Sequence, residues 1–592
     1  MHTNKELFGV FGDRAEFDRL RPDQAFDVVV DGEWSTIGIR DPHVGVPGRS
    51  AVATDEHNAC VVWGEAHVPE VDTPNVARWV LDRCADRGVE AVSALSGSYL
   101  VFLEYGGDAR LISDPIRSWE CFYTDDPGSR VFGTDAAAVA RLLDDPSIQR
   151  RALTEFLHIG TVLGDRTLFT ELHRVPFDGG ITGSDTESYQ RFVYDPRSFD
   201  YAAELSARLQ RAIDRRAHYP GRKGLLLSAG YDSRTLLACL PDIDHCYSIG
   251  IADSREMRVA RRIAAQYETA HTVLEPNGRY LLPTVDKVRY SQTTKESLHI
   301  HHAGYTDEID VDTIYHGLLY DTLFRGYYNT PSSTTVLGKR IPLRKRSRPD
   351  DLVGTILDQL RDVTDDDALV ARASDVFAEL EGADARAIIR DSVADELESC
   401  VARADSIYNQ MALFAVRNQP AKASRTHLAD NYLEALVAAD AELLSWHLQT
   451  PPEHRSTETF LRAMRRLDST ILQHPPPDRP HDRHTLNQLE RFARRKLPYV
   501  EAFEHAWPDR DSHYDECRLD ERLFPDTPSV HQLPTREKLR INDAQQWIQW
   551  VRKQDDATRS VRPTNGRAPY HPRSLLRVIR NVVRGTPPSS LL

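Results

Sequence analysis

Hydrophobic and polar positions follow two different rhythms along this chain. From Leu7 to about Asp195, short apolar runs are separated by turn residues: Leu7–Phe11, Ala25–Val30, Ala59–Trp63, Ser98–Glu104, Arg110–Ile112 and Val131–Gly133. Runs of that length read as strands, and two helical patterns, about Thr73–Arg87 and Asp135–Asp144, interrupt them. The pattern predicts packed, largely antiparallel sheets with helices on their outer faces. From about Phe199 the texture changes. Tyr201–Ala217 spaces its apolar residues as a helix does, and short buried strands are expected at Leu225–Leu227 and near Cys246–Ile251, His271–Leu274 and Thr313–His316. Long helices alternating with short apolar strands predict a parallel α/β sheet, and such sheets hold ligands beyond the carboxyl ends of their strands.

Farther on, Gly338–Cys400 reads as an insertion. Its basic run, Lys339–Arg348, is expected to be a solvated loop, followed by an acidic helical pattern at Asp350–Glu398. Ala402–Arg466 reads as helical, Pro475–Pro480 marks a boundary, and Leu486–Lys496 and Thr535–Arg552 are again helical. Near the end, Arg573–Arg584 places Leu575, Leu576, Ile579, Val582 and Val583 on one side and Arg573, Arg577, Arg580 and Arg584 on the other. A basic amphipathic helix of this kind suits weak contact with an anionic membrane surface. Packing on its own domain, or an unstructured tail, fits the same pattern. The chain thus divides into an N-terminal domain (1–195), an α/β domain (196–475) and a helical C-terminal extension (476–592).

Composition narrows the partners. With 592 residues and a formal charge of −15, the chain lacks the basic surface a general nucleic-acid binder needs. Its seven cysteines never fall in CxxC spacing, so reduced thiols and no zinc site are expected. Neither a signal peptide nor a run of about twenty apolar residues is found, so the expected location is cytoplasmic.

The candidate chemistry lies in Gly224–Leu240, GLLLSAGYDSRTLLACL. Its apolar strand ends at Ser228-Ala229-Gly230, and a helix opens around Asp232-Ser233. A strand running through a small-residue loop into a helix aims backbone N–H groups and a positive helix end at one point, which suits phosphate. A carboxylate there, Asp232, suits Mg²⁺ beside the phosphates.

This stretch resembles the pyrophosphate-binding loop of the glutamine-hydrolysing asparagine synthetase family, Ser-Gly-Gly-x-Asp-Ser. Ser228, Gly230, Asp232 and Ser233 match, and Ala229 replaces the first Gly. Ala229 fits only if its φ is not positive. Tyr247–Leu274 resembles the family's strand, acidic helix and second strand, with Ser248-Ile249-Gly250 and Glu256 in register. Ile314–Tyr327 resembles its Ser-Gly-Glu-Gly-x-Asp-Glu-x-Phe-x-Gly-Tyr signature. Gly317, Asp321, Phe324, Gly326 and Tyr327 match, whereas His316, Leu318, Leu319 and Thr322 do not. Ala435–Leu448 is similar to the family segment around Pro-Phe-Leu-Asp, with Asp440 on its Asp. Phe460–Ile471 is similar to the helix after it.

The resemblance implies an ATP-dependent amide-forming ligase: Mg²⁺-ATP transfers AMP to a carboxylate, aspartate or another acceptor. Pyrophosphate leaves, and ammonia or an amine attacks the acyl-adenylate. It places Ser228, Gly230 and Ser233 on pyrophosphate, Asp232 and Asp321 on Mg²⁺, and Leu227, Ile249, Gly250 and Gly317 around the nucleotide. No general base can be named. The family's Arg-x-Lys, whose Lys steadies adenylation, has no counterpart Lys here; the segment offers only Arg479 and Arg483.

Leu95–Phe102, Ser113–Tyr123 and Phe132–Leu143 resemble pieces of the family's N-terminal glutaminase domain, which implies an N-terminal-nucleophile-type fold. Its chemistry does not carry over. Met1 is followed by His2, no Cys precedes Cys60, Asn-Gly-Glu becomes Trp63-Gly64-Glu65, and the Arg before Asp114-Pro115 becomes Ser113. The expected outcome is a retained fold without glutaminase activity. A competing reading is a non-catalytic nucleotide- or partner-binding scaffold; the presence of both Asp232 and Asp321 favours the enzyme.

Overall fold

The two rhythms fold into two sheet systems. The computed structural model describes residues 5–552 apart from 22–25, 70, 125–129, 277–279, 282–284, 327–332, 337–338, 343–347, 361–362, 364, 420–421, 482–483, 498 and 501–503. The N-terminal part holds two six-stranded antiparallel sheets. One runs Leu172–Arg174, Phe122–Thr124, Val131–Gly133, Glu6–Val10, Thr36–Arg40, Val28–Asp31. The other runs Thr186–Ser188, Gly179–Thr182, Asp108–Ser113, Ser96–Tyr105, Ala59–His67, Ala51–Thr54. Side-chain alternation sorts their residues into layers. Leu7, Ile39, Val61, Leu100 and Phe132 pack together between the sheets. Phe8 and Val10 face outward onto the helices Ala136–Ala140 and Arg150–Ile159, while Cys60 and Val62 face outward onto Val76–Arg87. Both faces of these strands are covered, which is why they read as continuous apolar runs. Burying each Leu, Ile or Phe contributes roughly 1.5–3 kcal/mol, so the four layers hold together without disulfides.

The second system is one five-stranded parallel sheet in the order Ala270–Leu274, His245–Ile249, Lys223–Leu226, Thr313–Tyr315, Leu433–Ala435. Every neighbouring pair is parallel. In chain order this is 3-2-1-4-5, so the winding reverses between Lys223–Leu226 and Thr313–Tyr315. The loops leaving those two strands diverge to opposite sides and open a crevice at their carboxyl ends, the place where such sheets bind ligands.

Two expectations need correction. The fifth strand, Leu433–Ala435, lies inside a segment whose pattern predicts helix; three residues are too few to show a strand period. The start of the basic run, Lys339–Pro342, is a strand paired with Ser333–Val336 in a hairpin, not a loop. The helix Thr535–Arg552 forms as expected, and it docks on the first domain, where Trp547 and Ile548 share an apolar cluster with Phe156 and Leu157. The basic helix expected at Arg573–Arg584 lies outside the described residues. Among the described residues no helix is long and apolar enough to cross a membrane.

Candidate active site at the crevice

The crevice is built from the loop after Lys223–Leu226. Leu227 extends the strand pairing by donating its N–H to the Tyr247 carbonyl (2.8 Å), and its own carbonyl accepts the Ser248 hydroxyl (2.6 Å). The loop then closes on itself. Ser228 N–H donates to Ser233 Oγ at 3.0 Å, and Gly230 N–H donates to Ser228 Oγ at 3.1 Å. The helix Asp232–Cys239 follows, with no side-chain cap on its first turn. Its first N–H groups therefore have no partner within the helix and face the crevice mouth. Ala229 is buried and is not among the residues with positive φ, so its methyl group is accommodated without backbone strain. Its N–H donates to Glu256, whose carboxyl is pushed up by burial and then by the charge of Asp478.

A second loop crosses this one. Gly317, just past Thr313–Tyr315, lies against the helix start so closely that a Cβ there would be 2.8 Å from Asp232 Cβ and 3.0 Å from Ser233 N. Only glycine permits that approach. Leu319 then adopts a left-handed φ of 70°, at a place where the resembling signature has Gly. A non-glycine residue there costs on the order of 1–2 kcal/mol. The Leu319 side chain is buried in the main core of the α/β domain, and that burial offsets the strain. The turn starts the short helix Tyr320–Phe324 and brings Asp321 to Asp232. Burial raises the Asp232 carboxyl, Arg325 pulls it down and the nearby Asp321 charge pushes it up again. Asp321 Oδ1 accepts the Thr322 N–H (2.8 Å), and the Thr322 hydroxyl accepts from the Gln419 amide.

Three arginines complete the site, and the sequence singled out one of them. Arg325 donates to Asp232 Oδ1 at 2.7 Å. Arg479 lies 5.4 Å and Arg325 5.8 Å from the centre of the Tyr231 ring. Arg483 lies outside the described residues. Arg234, fully buried in the new helix, donates to the Ala229 and Gly230 carbonyls at 2.6 and 2.7 Å and to those of His474 and Ile471 at 2.7 and 3.2 Å. It ties the phosphate-type loop to the proline-rich segment that carries Arg479. Burial lowers its guanidinium to about 10. The sequence does not mark it, because Arg234 precedes the apolar run Thr235–Leu240 and stands two residues after the charged Asp232.

The remaining predicted border residues, Ile249 and Gly250, end the neighbouring strand. Gly250 N–H donates to the Leu274 carbonyl, and Ile251 N–H donates to the Ala506 carbonyl at 2.8 Å. The C-terminal extension thus lies across this edge of the crevice, which the sequence does not indicate.

The structure places the described N-terminal residues singled out by the sequence as follows. Trp63 is buried edge-on to Trp119 with ring centres 4.6 Å apart, and Lys5 Nζ lies 5.2 Å from the Trp63 ring. Ser113 Oγ donates to the Gly179 carbonyl at 3.1 Å. Glu65 faces the second domain, where it pairs with Arg216, and Arg216 also binds Asp440 at 3.0 Å. His2 lies outside the described residues.

The crevice is joined to that domain by a buried chain of polar groups. His316 Nε2 lies 2.8 Å from Glu434 Oε1, and Glu434 takes both ends of the Arg425 guanidinium at 3.0 and 2.9 Å. Arg425 in turn stacks 4.0 Å from the Trp119 ring centre and donates to Ser98 Oγ. The Arg425 charge and the hydrogen bond from His316 hold the Glu434 carboxyl down at about 2 despite burial.

Comparison with known proteins bears on both halves. Among solved structures, the glutamine phosphoribosylpyrophosphate amidotransferase from B. subtilis complexed with ADP and GMP is 8% identical, with 46% of this chain and 60% of that chain covered and a TM-score of 0.20. This chain thus spans less than two thirds of that structure. A second structure, described as the allosteric regulatory enzyme of purine biosynthesis, is 9% identical over 48% of this chain and 77% of its own, with a TM-score of 0.21. Neither likeness carries an argument at those scores. No curated protein matches the chain. The sequence profile of the asparagine synthase family matches residues 204–581, well over half of the chain, and runs past residue 470, where the motif resemblance stops. That span contains both loops of the crevice, Asp232 and Asp321 included, and the chain belongs to the asparagine synthase family.

Proposed function

We propose that this chain is an ATP-dependent ligase that adenylates a carboxylate and passes it to ammonia or an amine, releasing AMP and pyrophosphate. One observation carries this reading: two carboxylates, Asp232 and Asp321, come together at the switch point of the parallel sheet, each at the start of a helix that follows a neighbouring strand. A pair of oxygens beside unpartnered helix N–H groups fits Mg²⁺ bridging phosphates. Asp232 and Asp321 would hold the ion, and the ion would neutralise charge on the leaving phosphates. Ser228, Gly230 and Ser233 shape the loop, and Leu227, Ile249, Gly250 and Gly317 border the space for the nucleotide. Gln419, through Thr322, orients Asp321. The acceptor carboxylate is aspartate or another acid of similar reach.

The N-terminal domain in this reading is a buttress. Support for this comes from Trp63 and Ser113, which are packed into the fold, and from Glu65, which pairs with Arg216 of the second domain and not with a small ligand. Ammonia, an amine on a second substrate, or a partner then supplies nitrogen.

The test is ATP–pyrophosphate exchange across a panel of carboxylates, with Asp232→Ala and Asp321→Ala. Carboxylate-dependent exchange that both variants lose supports the reading. Exchange at the wild-type rate in either variant refutes the metal pair. Absence of exchange with every acid, together with retained ATP binding, refutes the ligase and leaves a nucleotide-binding scaffold.

A further inference from the structure

We infer that Arg325 and Arg479 form a two-sided cationic clamp for the departing pyrophosphate, with Tyr231 as the platform that sets both guanidinium groups. The inference rests on the adenylation reading and names the groups that receive the leaving charge. In that reaction a carboxylate oxygen bonds to the α-phosphorus while the bond from that phosphorus to the bridging oxygen breaks. The electron pair leaves on pyrophosphate, which needs positive charge on the side away from the nucleotide. The segment at Gln473–Thr485 holds no lysine, and the structure shows which cations stand at the crevice instead.

Three arginines surround Tyr231, and their bonding separates them. Arg234 spends its donors on four backbone carbonyls and is a strut. Arg325 makes an ion pair through Nη1 with Asp232 Oδ1, while its buried Nε has no partner. A guanidinium with a donor to spare, fixed within reach of the metal-type carboxylate, is placed for a phosphate oxygen. Arg479 approaches the same ring from the proline-rich segment, held by Asp478 at 3.3 Å. Arg234 sets that position, because its bonds to Ile471 and His474 fix the stretch leading to Arg479. Tyr231, itself buried, lies one residue before Asp232, so both cations lie beside the start of that helix, whose first turn has no side-chain cap.

The experiment measures binding of Mg²⁺-pyrophosphate and, separately, of AMP to the full-length chain by titration calorimetry. It uses Arg325→Met, Arg479→Met and the charge-preserving Arg325→Lys and Arg479→Lys. Loss of one charge-assisted contact is expected to weaken pyrophosphate binding roughly ten- to hundredfold in each Met variant. AMP affinity should stay within about threefold, and the Lys variants should fall between Met and wild type. In exchange assays the same variants should raise the KM for pyrophosphate more than they lower kcat. Pyrophosphate binding unchanged in both Met variants overturns the clamp, as does an equal loss of AMP binding, which would mark a structural role. A wild-type chain that binds pyrophosphate through these arginines but shows no exchange would sink the adenylation reading and leave the clamp standing.

Discussion

Gly317→Ala tests whether the close crossing of the two loops sets the site. A Cβ at Gly317 would lie 2.8 Å from Asp232 Cβ and 3.0 Å from Asp232 C and Ser233 N. These are backbone-proximal atoms, not the ends of flexible side chains, so the overlap of roughly half an ångström has to be relieved by moving the helix start. Such overpacking costs about 1–3 kcal/mol. Gly317 has no positive φ, so alanine also removes unfolded-state freedom, which returns about 0.4–1 kcal/mol. The net expectation is a loss of roughly 0.5–2 kcal/mol in stability by urea unfolding. The functional loss should be larger in proportion, because displacing Asp232 by about half an ångström at a site that positions reacting groups lowers exchange around tenfold. The assay is ATP–pyrophosphate exchange and urea unfolding on one preparation. Gly382→Ala is the control: its φ is 65° with open space around it, so it tests backbone strain far from the crevice and should leave exchange intact. Gly317→Ala with wild-type stability and exchange refutes the packing argument. Lowered stability with wild-type exchange refutes the claim that the crossing positions Asp232.

Three further outcomes are expected. Incubated with glutamine, with or without ATP, the purified chain should release no glutamate above background, and measurable release would overturn the reading of Trp63 and Ser113. Arg216→Ala strips the shared partner from buried Glu65 and Asp440 and should destabilise the chain by about 3–5 kcal/mol in chemical unfolding; a change under about 1 kcal/mol would refute the role of this pair in joining the domains. Burial raises the Asp543 carboxyl to about 7, while the Ser297 N–H and hydroxyl donate to it. Its folded pKa is above its unfolded one, so its contribution is full below about pH 4 and is lost as pH rises through about 7. Tm should therefore fall from pH 5 to pH 8, and Asp543→Asn should flatten that slope; an unchanged slope refutes the assignment.

The sequence by itself determined most of the element types and marked the two loops that meet at the crevice. Long apolar runs marked the buried strands, the switch from short strands to helix-spaced runs marked the change of sheet system, and the small residues at Ser228–Gly230 marked the phosphate-type turn. These signals are local: period, propensity and the φ tolerance of a residue act within a few positions, so they survive in one dimension. The tertiary structure alone decided which distant residues meet. Asp232 and Asp321 share one crevice only because the winding of the sheet reverses between their strands. Arg325 meets a carboxylate 93 positions away, Arg234 bridges its own loop to the distant carbonyls of Ile471 and His474, and no spacing rule marks either. The three-residue strand Leu433–Ala435 was hidden for the same reason, since its conformation is fixed by pairing with Thr313–Tyr315 and not by its own residues. The docking of Thr535–Arg552 on the first domain, and of Ala506 on the edge of the crevice, likewise follows from surface complementarity between segments hundreds of residues apart. Side-chain packing in three dimensions, not periodicity, fixes such contacts.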